Sequence, residues 1–381
     1  MEILFSLKYG YETLDNPWKM ILVVTYLIVG LVLIIKGGDW FVDAASWIAE
    51  KFGIPKLIIG ATIVSMATTL PELLVSVFAA AEGAANPLLA SSSVDMATGN
   101  AIGSVIANTG LIMSLSILFM PVSVDRKNFI VKPIILLFSI FSLFLFSLDD
   151  KLVVWEAVIM LIILVGFFAD NVIEAKRQMK KEAAIAGSSD KNIIKGAELQ
   201  EAQQISGKDN NMFSKASAAD AEKKISNRKD VIRNIGLFLI GVVGIVAGAQ
   251  LLVDNATVFA QQIGVPDKII AITIVAIGTS LPELITTITA IIKKQSDLSV
   301  GNVIGANIID MCLILSLCSF IYGNALPVYK STLYLDLPFA FGIVAINTVP
   351  TLFTKKLQRW QGIVSLALYI TYLTLSCTLT F

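Results

Sequence analysis

Apolar residues fill this chain in blocks of about twenty, the length a helix needs to cross the hydrocarbon core of a bilayer. Polar residues gather between the blocks and do not alternate within them, so an outer-membrane strand pattern is absent. The blocks predict ten helical spans, with approximate limits 18–36, 57–81, 98–120, 130–148, 152–172, 234–253, 268–292, 299–322, 333–353 and 362–380. The spans opening each half are expected to continue as long tilted helices past Asp43 and Asp254. From Glu174 to Asp230 the chain is instead rich in Lys, Glu, Ala, Ser and Asn, with too few large apolar residues to bury a core. That segment reads as a partly helical, partly disordered cytoplasmic connector. The chain thus divides into a first membrane half (1–173), a polar linker (174–230) and a second membrane half (231–381).

Composition agrees with this all-α integral membrane class. Of 381 residues, 56% are hydrophobic and 15% charged, against roughly a quarter charged in soluble domains, and the mean hydropathy is +0.78. The first apolar run lacks a small-residue cleavage site, so no removable signal peptide is expected. Net charge is zero, but its distribution is uneven. With the N-terminus outside, Lys51, Lys56, Arg126, Lys127, Lys132, Lys293, Lys294, Lys355, Lys356 and Arg359 fall in short cytoplasmic loops. Lys8, Lys19, Lys151, Lys268 and Lys330 fall on the other side. Ten against five, with thirteen more in 176–233, predicts both termini outside, in the plasma (inner) membrane. Histidine is absent, which excludes histidine catalysis, histidine zinc ligation and histidine proton relays. Cys312, Cys318 and Cys377 lie in apolar spans without paired spacing and read as small core residues. No Gly-Asp dyad resembles that of an intramembrane aspartyl protease. We therefore expect no enzyme, no cofactor and no nucleic-acid partner; the partners are ions and the lipid bilayer, and the expected state is a monomer.

The chain also repeats itself. VDAASWIAEKFGIPKLIIGATIVSMATTLPELL from Val42 returns as VDNATVFAQQIGVPDKIIAITIVAIGTSLPELI from Val253, a constant offset of 211 up to Glu72 and Glu283. The offset falls to 202 where GNAIGSVIAN at Gly99 aligns with GNVIGANIID at Gly301, setting Asp310 opposite Asn108. The two repeats span about 42–118 and 253–320. Five spans per half is odd, so the second half must enter the membrane from the opposite side, giving two inverted five-helix repeats whose interface is the expected site.

Candidate chemistry sits inside those repeats. Ser65, Thr68, Thr69 and Glu72 share one helical face, and Ala276, Thr279, Ser280 and Glu283 repeat it. Pro71 and Pro282 cannot donate a backbone hydrogen bond, so carbonyls near Ala67 and Gly278 become available as ligands. The third span adds Asn100, Ser104 and Asn108 on one face; the eighth adds Asn302 and Asp310, with Ala306 where the repeat would place a hydroxyl. A carboxylate at bilayer depth is costly, and Glu72 and Glu283 repel one another unless a cation or proton neutralises the pair. Carboxylate, amide, hydroxyl and carbonyl oxygens without imidazole or thiolate suit hard cations such as calcium. An empty site is unfavourable, which is a physical basis for obligatory exchange. Gly99, Gly103, Gly301 and Gly305 read as close helix contacts. Lys36, Asp39, Asp43 and Asp254 lie toward a membrane face, where snorkelling or a local ion pair and a pathway role are equally open readings.

The blocks TTLPELLVS and GTSLPELITT, followed by GNAIGS and GNVIGAN, resemble the paired alpha-repeats of the calcium/cation antiporter superfamily, and most of all its prokaryotic sodium/calcium exchangers. The resemblance covers both halves except the linker. It implies a ten-helix antiporter that exchanges calcium for sodium by alternating access. It matches Glu72 and Glu283 to the central acidic ligands, Asn108 and Asp310 to the flanking amide and acid, and Thr68, Thr69, Thr279 and Ser280 to sodium ligands. Departures are MATT for a GTS sequence, GSVIAN for GSNI, and Ala306 for a serine facing a sodium site. Potassium-dependent relatives carry acid at both flanking positions, so Asn108 argues against potassium. Calcium/proton exchange is the runner-up. A cation channel is the other transport alternative, and it would pass calcium without a counter-gradient.

Overall fold

The computed structural model describes residues 16–86, 90–123, 129–201, 212–262, 276–323 and 325–378. It is built of helices, with two very short antiparallel ladders. Helix α1 (Asn16–Phe52) is followed by α2 (Lys56–Thr68) and α3 (Leu70–Ala85), which meet at a 46° bend. Helix α4 runs as Ala90–Ala107, a π-helical turn Asn108–Met113 and Ser114–Phe119. Strand β1 (Val122–Ser123), α5 (Val131–Phe146), β2 (Lys151–Val153) and α6 (Val154–Glu201) complete the first half. The second half contains α7 (Met212–Gln262), the short α8 (Ala276–Thr279) and α9 (Leu281–Ile292). Helix α10 comprises Ser296–Ile309, a π-helical turn Asp310–Ile314 and Leu315–Tyr322. The chain continues with β3 (Ala325–Pro327), α11 (a π turn Thr332–Asp336, then Leu337–Thr354), β4 (Lys356–Leu357) and α12 (Arg359–Thr378).

Among the described residues, seven helices are long and apolar enough to cross a membrane, or eight with the bent α2–α3 pair taken as one span. Their outer faces carry exposed large apolar side chains, such as Phe141, Ile162 and Val243, while carboxylates, amides and hydroxyls are sealed inside. This polarity is the reverse of a soluble core and is what a lipid solvent demands. The predicted span at 268–292 lies outside the described residues as far as 275. Helices α1 and α7 do run past Asp43 and Asp254. Helix also covers both ends of the predicted linker, since α6 reaches Glu201 and α7 starts at Met212, and neither 174 nor 230 is an element boundary; residues 202–211 lie outside the described set.

Two features fix the arrangement of the halves. Helices α1 and α7 cross at glycines: a methyl on Gly37 would stand 2.9 Å from the Gly241 carbonyl oxygen, and one on Gly248 would stand 2.8 Å from that of Gly30. Such an approach lets dispersion act along both backbones where lipid supplies no hydrophobic drive. Secondly, β1 pairs with β4 (Val122 opposite Leu357) and β2 pairs with β3 (Leu152 opposite Leu326). Helix α5 leads from β1 to β2 and α11 from β3 to β4, so these two helices join the same pair of ladders in opposite directions.

One charge is placed differently from the sequence reading. Lys132, counted above in a cytoplasmic loop, lies inside α5 with 1% of its surface exposed, its Nζ 3.9 Å from Asp170 Oδ2. A lone buried ammonium would be prohibitively costly, and the acids Asp170 and Glu174 on α6 offset it. Two of the face-lying acids form a local ion pair, with Lys293 Nζ 2.8 Å from Asp43 Oδ2 and 3.3 Å from Asp39 Oδ1, while Asp254 Oδ1 accepts from Gln250 Nε2 at 3.0 Å.

Candidate cation site

Both copies of the Leu-Pro-Glu triplet start a new helix. The α2 helix stops at Thr69 (φ −80°, ψ 1°) and α8 stops at Ser280 (φ −89°, ψ 9°), and a proline follows inside the first turn each time. Proline suits a helix start because its missing N–H would have no partner there. Glu72 and Glu283 consequently sit in the first turns of α3 and α9, where the unpaired N–H groups and the helix dipole favour negative charge.

Burial is complete around them. Glu72, Glu283, Asp310, Asn108, Thr68, Thr69, Ser65, Ser104 and Ser280 are all buried, and Thr279 is half-buried. Both carboxylate oxygens of Glu72, of Glu283 and of Asp310 lack a hydrogen-bond partner, as does Asn108 Oδ1. Glu72 lies within electrostatic reach of Glu283 and Asp310. The neighbours are exchanged between the halves: Ser280 faces Glu72, while Thr68 and Thr69 face Glu283. Since Thr69 plus 211 is Ser280 and Glu72 plus 211 is Glu283, these are one contact made twice. None of these hydroxyls reaches a carboxylate with hydrogen-bond geometry, so all six carboxylate oxygens are left without a hydrogen-bond partner. Among the described residues no group of three or more His, Cys, Asp or Glu side chains lies close enough to hold a metal ion.

The hydroxyls are held from behind. Thr69 donates to the Ser65 carbonyl at 2.6 Å, and Thr68 divides its proton between that carbonyl (3.3 Å) and Asn302 Oδ1 (3.2 Å). Ser280 donates to Ser104 at 3.4 Å, bridging the halves. Ser65 donates to the Thr62 carbonyl at 3.1 Å and packs beside Gly305, at the crossing of α2 and α10. Ala276 contributes backbone to α8; its side chain lies outside the described set. Gly301 and Gly305 make the close contacts expected of them, against Leu57 and Ala61, whereas no described atom lies within 4 Å of a methyl built on Gly99 or Gly103.

Three features escaped the sequence reading. Asn108 and Asp310 each open a π-helical turn, and a π turn widens the helix and frees a carbonyl, a feature common at functional sites. Gly30, Gly37, Gly241 and Gly248 extend the repeat upstream of Val42 with the offset of 211 unchanged, a signal that was available. Asn307 donates to Thr109 at 2.6 Å next to the site, tying α10 to the π turn of α4.

The chain is similar to known proteins over most of its length. A family model described as sodium/calcium exchanger protein matches residues 22–169 and 233–378. An uncharacterized membrane protein of Methanocaldococcus jannaschii is 32% identical, over 92% of this chain and 97% of its own. The sodium/calcium exchanger MaX1 of Methanosarcina acetivorans is 30% identical, over 91% of this chain and 96% of its own. A solved structure of the sodium-calcium exchanger NCX_Mj, soaked with 2.5 mM Na+ and 10 mM Sr2+, is similar with a TM-score of 0.71, 28% identity, and coverage of 94% of this chain and 99% of that one.

Proposed function

We propose, for a chain that belongs to the sodium/calcium exchanger family, that the cluster of Glu72, Glu283, Asp310 and Asn108 is where it exchanges calcium for sodium across the membrane. Thr68, Thr69, Ser65, Ser104, Ala276, Thr279 and Ser280 complete the ligand set through hydroxyl and carbonyl oxygens. The carrying observation is the six buried carboxylate oxygens without a partner. Unpaired charge inside a membrane costs several kcal/mol, and a divalent ion bound by oxygens removes that cost. The empty cluster opposes reorientation, so transport in one direction requires an ion in the other.

In this reading the protein has ten transmembrane helices in two inverted five-helix repeats. The crosswise Glu–hydroxyl contacts, the glycine pairs of α1 and α7, and the two ladders joined by α5 and α11 support it, because each maps onto its partner when the halves are exchanged. The halves are 1–173 and 231–381, and the gap in the family match at 170–232 supports treating 174–230 as a connector. Both termini lie outside a plasma membrane, the transported ions are calcium and sodium without a cofactor, and one copy suffices because the cluster is built within one chain.

Calcium uptake into proteoliposomes, driven in turn by sodium, potassium and proton gradients, tests the function. Uptake with the sodium gradient alone is expected. Passage without any counter-gradient would identify a channel and overturn the reading.

The two halves also make graded predictions. Asp310→Asn should reduce uptake less than loss of either glutamate, because Asn108 already works as an amide at the equivalent place. Ala306→Ser should restore a hydroxyl and lower the sodium half-saturation by about two- to threefold, a dipole adding less than a charge. A sodium titration of calcium uptake reads both. Asp310→Asn as inactive as Glu283→Gln would make that acid a primary ligand.

A further inference from the structure

The repeats are equivalent in sequence around two asparagines, Asn100 half-buried and Asn302 buried, yet the asparagines bond differently. On the first repeat, Asn100 Nδ2 donates to the Glu72 carbonyl oxygen at 3.2 Å and to Ser76 Oγ at 2.9 Å. It thereby fastens the main chain of an acidic ligand and the helix turn that follows. The offsets of 202 and 211 convert Asn100, Glu72 and Ser76 into Asn302, Glu283 and Thr287, so the same clasp should recur on the second repeat. It does not. Asn302 Nδ2 and Thr287 Oγ1 are both buried without any partner, on helices α10 and α9 that pack together. Asn302 instead accepts from Thr68 across the halves at 3.2 Å.

A buried donor and a buried acceptor left unpaired each cost free energy, and here they are the two groups that the other repeat joins. An inverted-repeat carrier offers a reason: in one state the halves adopt two different conformations, and in the other state they exchange them. We infer that Asn100 and Asn302 are positioning residues that clasp the acidic ligands in alternation. In the state described, Asn100 holds Glu72 while Asn302 has released Glu283 and holds Thr68. In the opposite state Asn302 closes on the Glu283 carbonyl and Thr287, and Asn100 opens. The inference rests on the exchanger reading above, and wild-type sodium-driven uptake is the control that separates failure of that reading from failure of this one.

Ser76→Ala removes a bond present only in the described state, and Thr287→Val removes one present only in the opposite state. Calcium half-saturation is measured from each face, using right-side-out and inside-out vesicles holding the full chain. The ratio of the two values should move by about fivefold, the equilibrium weight of one net hydrogen bond, in opposite directions for the two variants. Thr287→Ser, which keeps the hydroxyl, should return the ratio to wild type. A role in packing alone would lower folded yield or melting temperature without moving the ratio. Shifts of the same sign, or an unmoved ratio in folded protein, overturn the inference.

Discussion

Replacing Glu72 or Glu283 with glutamine is expected to abolish sodium-driven calcium uptake while each variant still extracts as folded, monodisperse protein. Glutamine matches glutamate in shape, so the first turns of α3 and α9 and their prolines are undisturbed. The electrostatic change is large. Each carboxylate is buried with both oxygens free of partners, and removing its charge deletes one of the few full negative charges facing the ion. Amide hydrogens would then point at a cation where lone pairs had stood. Removing groups that merely orient a ligand already costs 10–100-fold in metal affinity, so loss of a ligand should weaken calcium binding by about 100-fold or more. Folding should respond in the opposite sense, because an uncharged amide is cheaper to bury than an unpaired carboxylate. Uptake and melting temperature measured together check both halves of the statement. Either variant transporting near the wild-type rate would remove the cluster from consideration as the site.

The sequence made the acidic centres legible because two constraints coincided there. A carboxylate in a membrane-length apolar block is conspicuous on its own, and its return after 211 residues ties the two together. The proline beside each one marked a gap in backbone hydrogen bonding, and the structure ends a helix there, at Thr69 and Ser280. The π turns at Asn108 and Asp310 left no comparable mark, since inserting one residue into a helix changes no composition and needs no particular side chain. Lys132 was misplaced for a related reason. A cation in the first residues of an apolar block reads as part of the loop before it, and it is three-dimensional neighbours on the next helix, Asp170 and Glu174, that make its burial tolerable. Least legible is the difference between Asn100 and Asn302. Identical residues at matching positions carry no sign that one repeat holds its clasp closed while the other holds it open.

Helix α10 must approach α2 closely for the two halves to share one site, and that approach depends on glycine. Gly305 lies where an added methyl would stand 2.5 Å from the Ala61 carbonyl oxygen, 2.6 Å from Ser65 Oγ and 2.7 Å from Ala61 Cα. Gly301 faces the Leu57 carbonyl group and the Ala61 nitrogen in the same way, and across the contact a methyl on Gly60 would meet the Asn302 nitrogen at 2.9 Å. These neighbours are mainly backbone, which cannot rotate aside as a side-chain end can. Even one methyl at Gly301 or Gly305 therefore forces the helices apart. Overpacking of a core costs about 1–3 kcal/mol, and backbone against backbone should lie at or above the upper end. The loss should reach function too, because α10 carries Asn302 and Asp310 and α2 carries Thr68, so separating them opens the Thr68–Asn302 bond and spreads the ligand oxygens. Gly166 and Gly342 provide the control, since nothing lies within 4 Å of a methyl on either, and alanine in a helix is favoured over glycine by about 1 kcal/mol. Gly305→Ala and Gly301→Ala should lower both the melting temperature and calcium uptake, while Gly166→Ala and Gly342→Ala leave uptake unchanged and hold or raise the melting temperature. Wild-type behaviour of Gly305→Ala on both measures would mean that α2 and α10 do not make this contact in the bilayer.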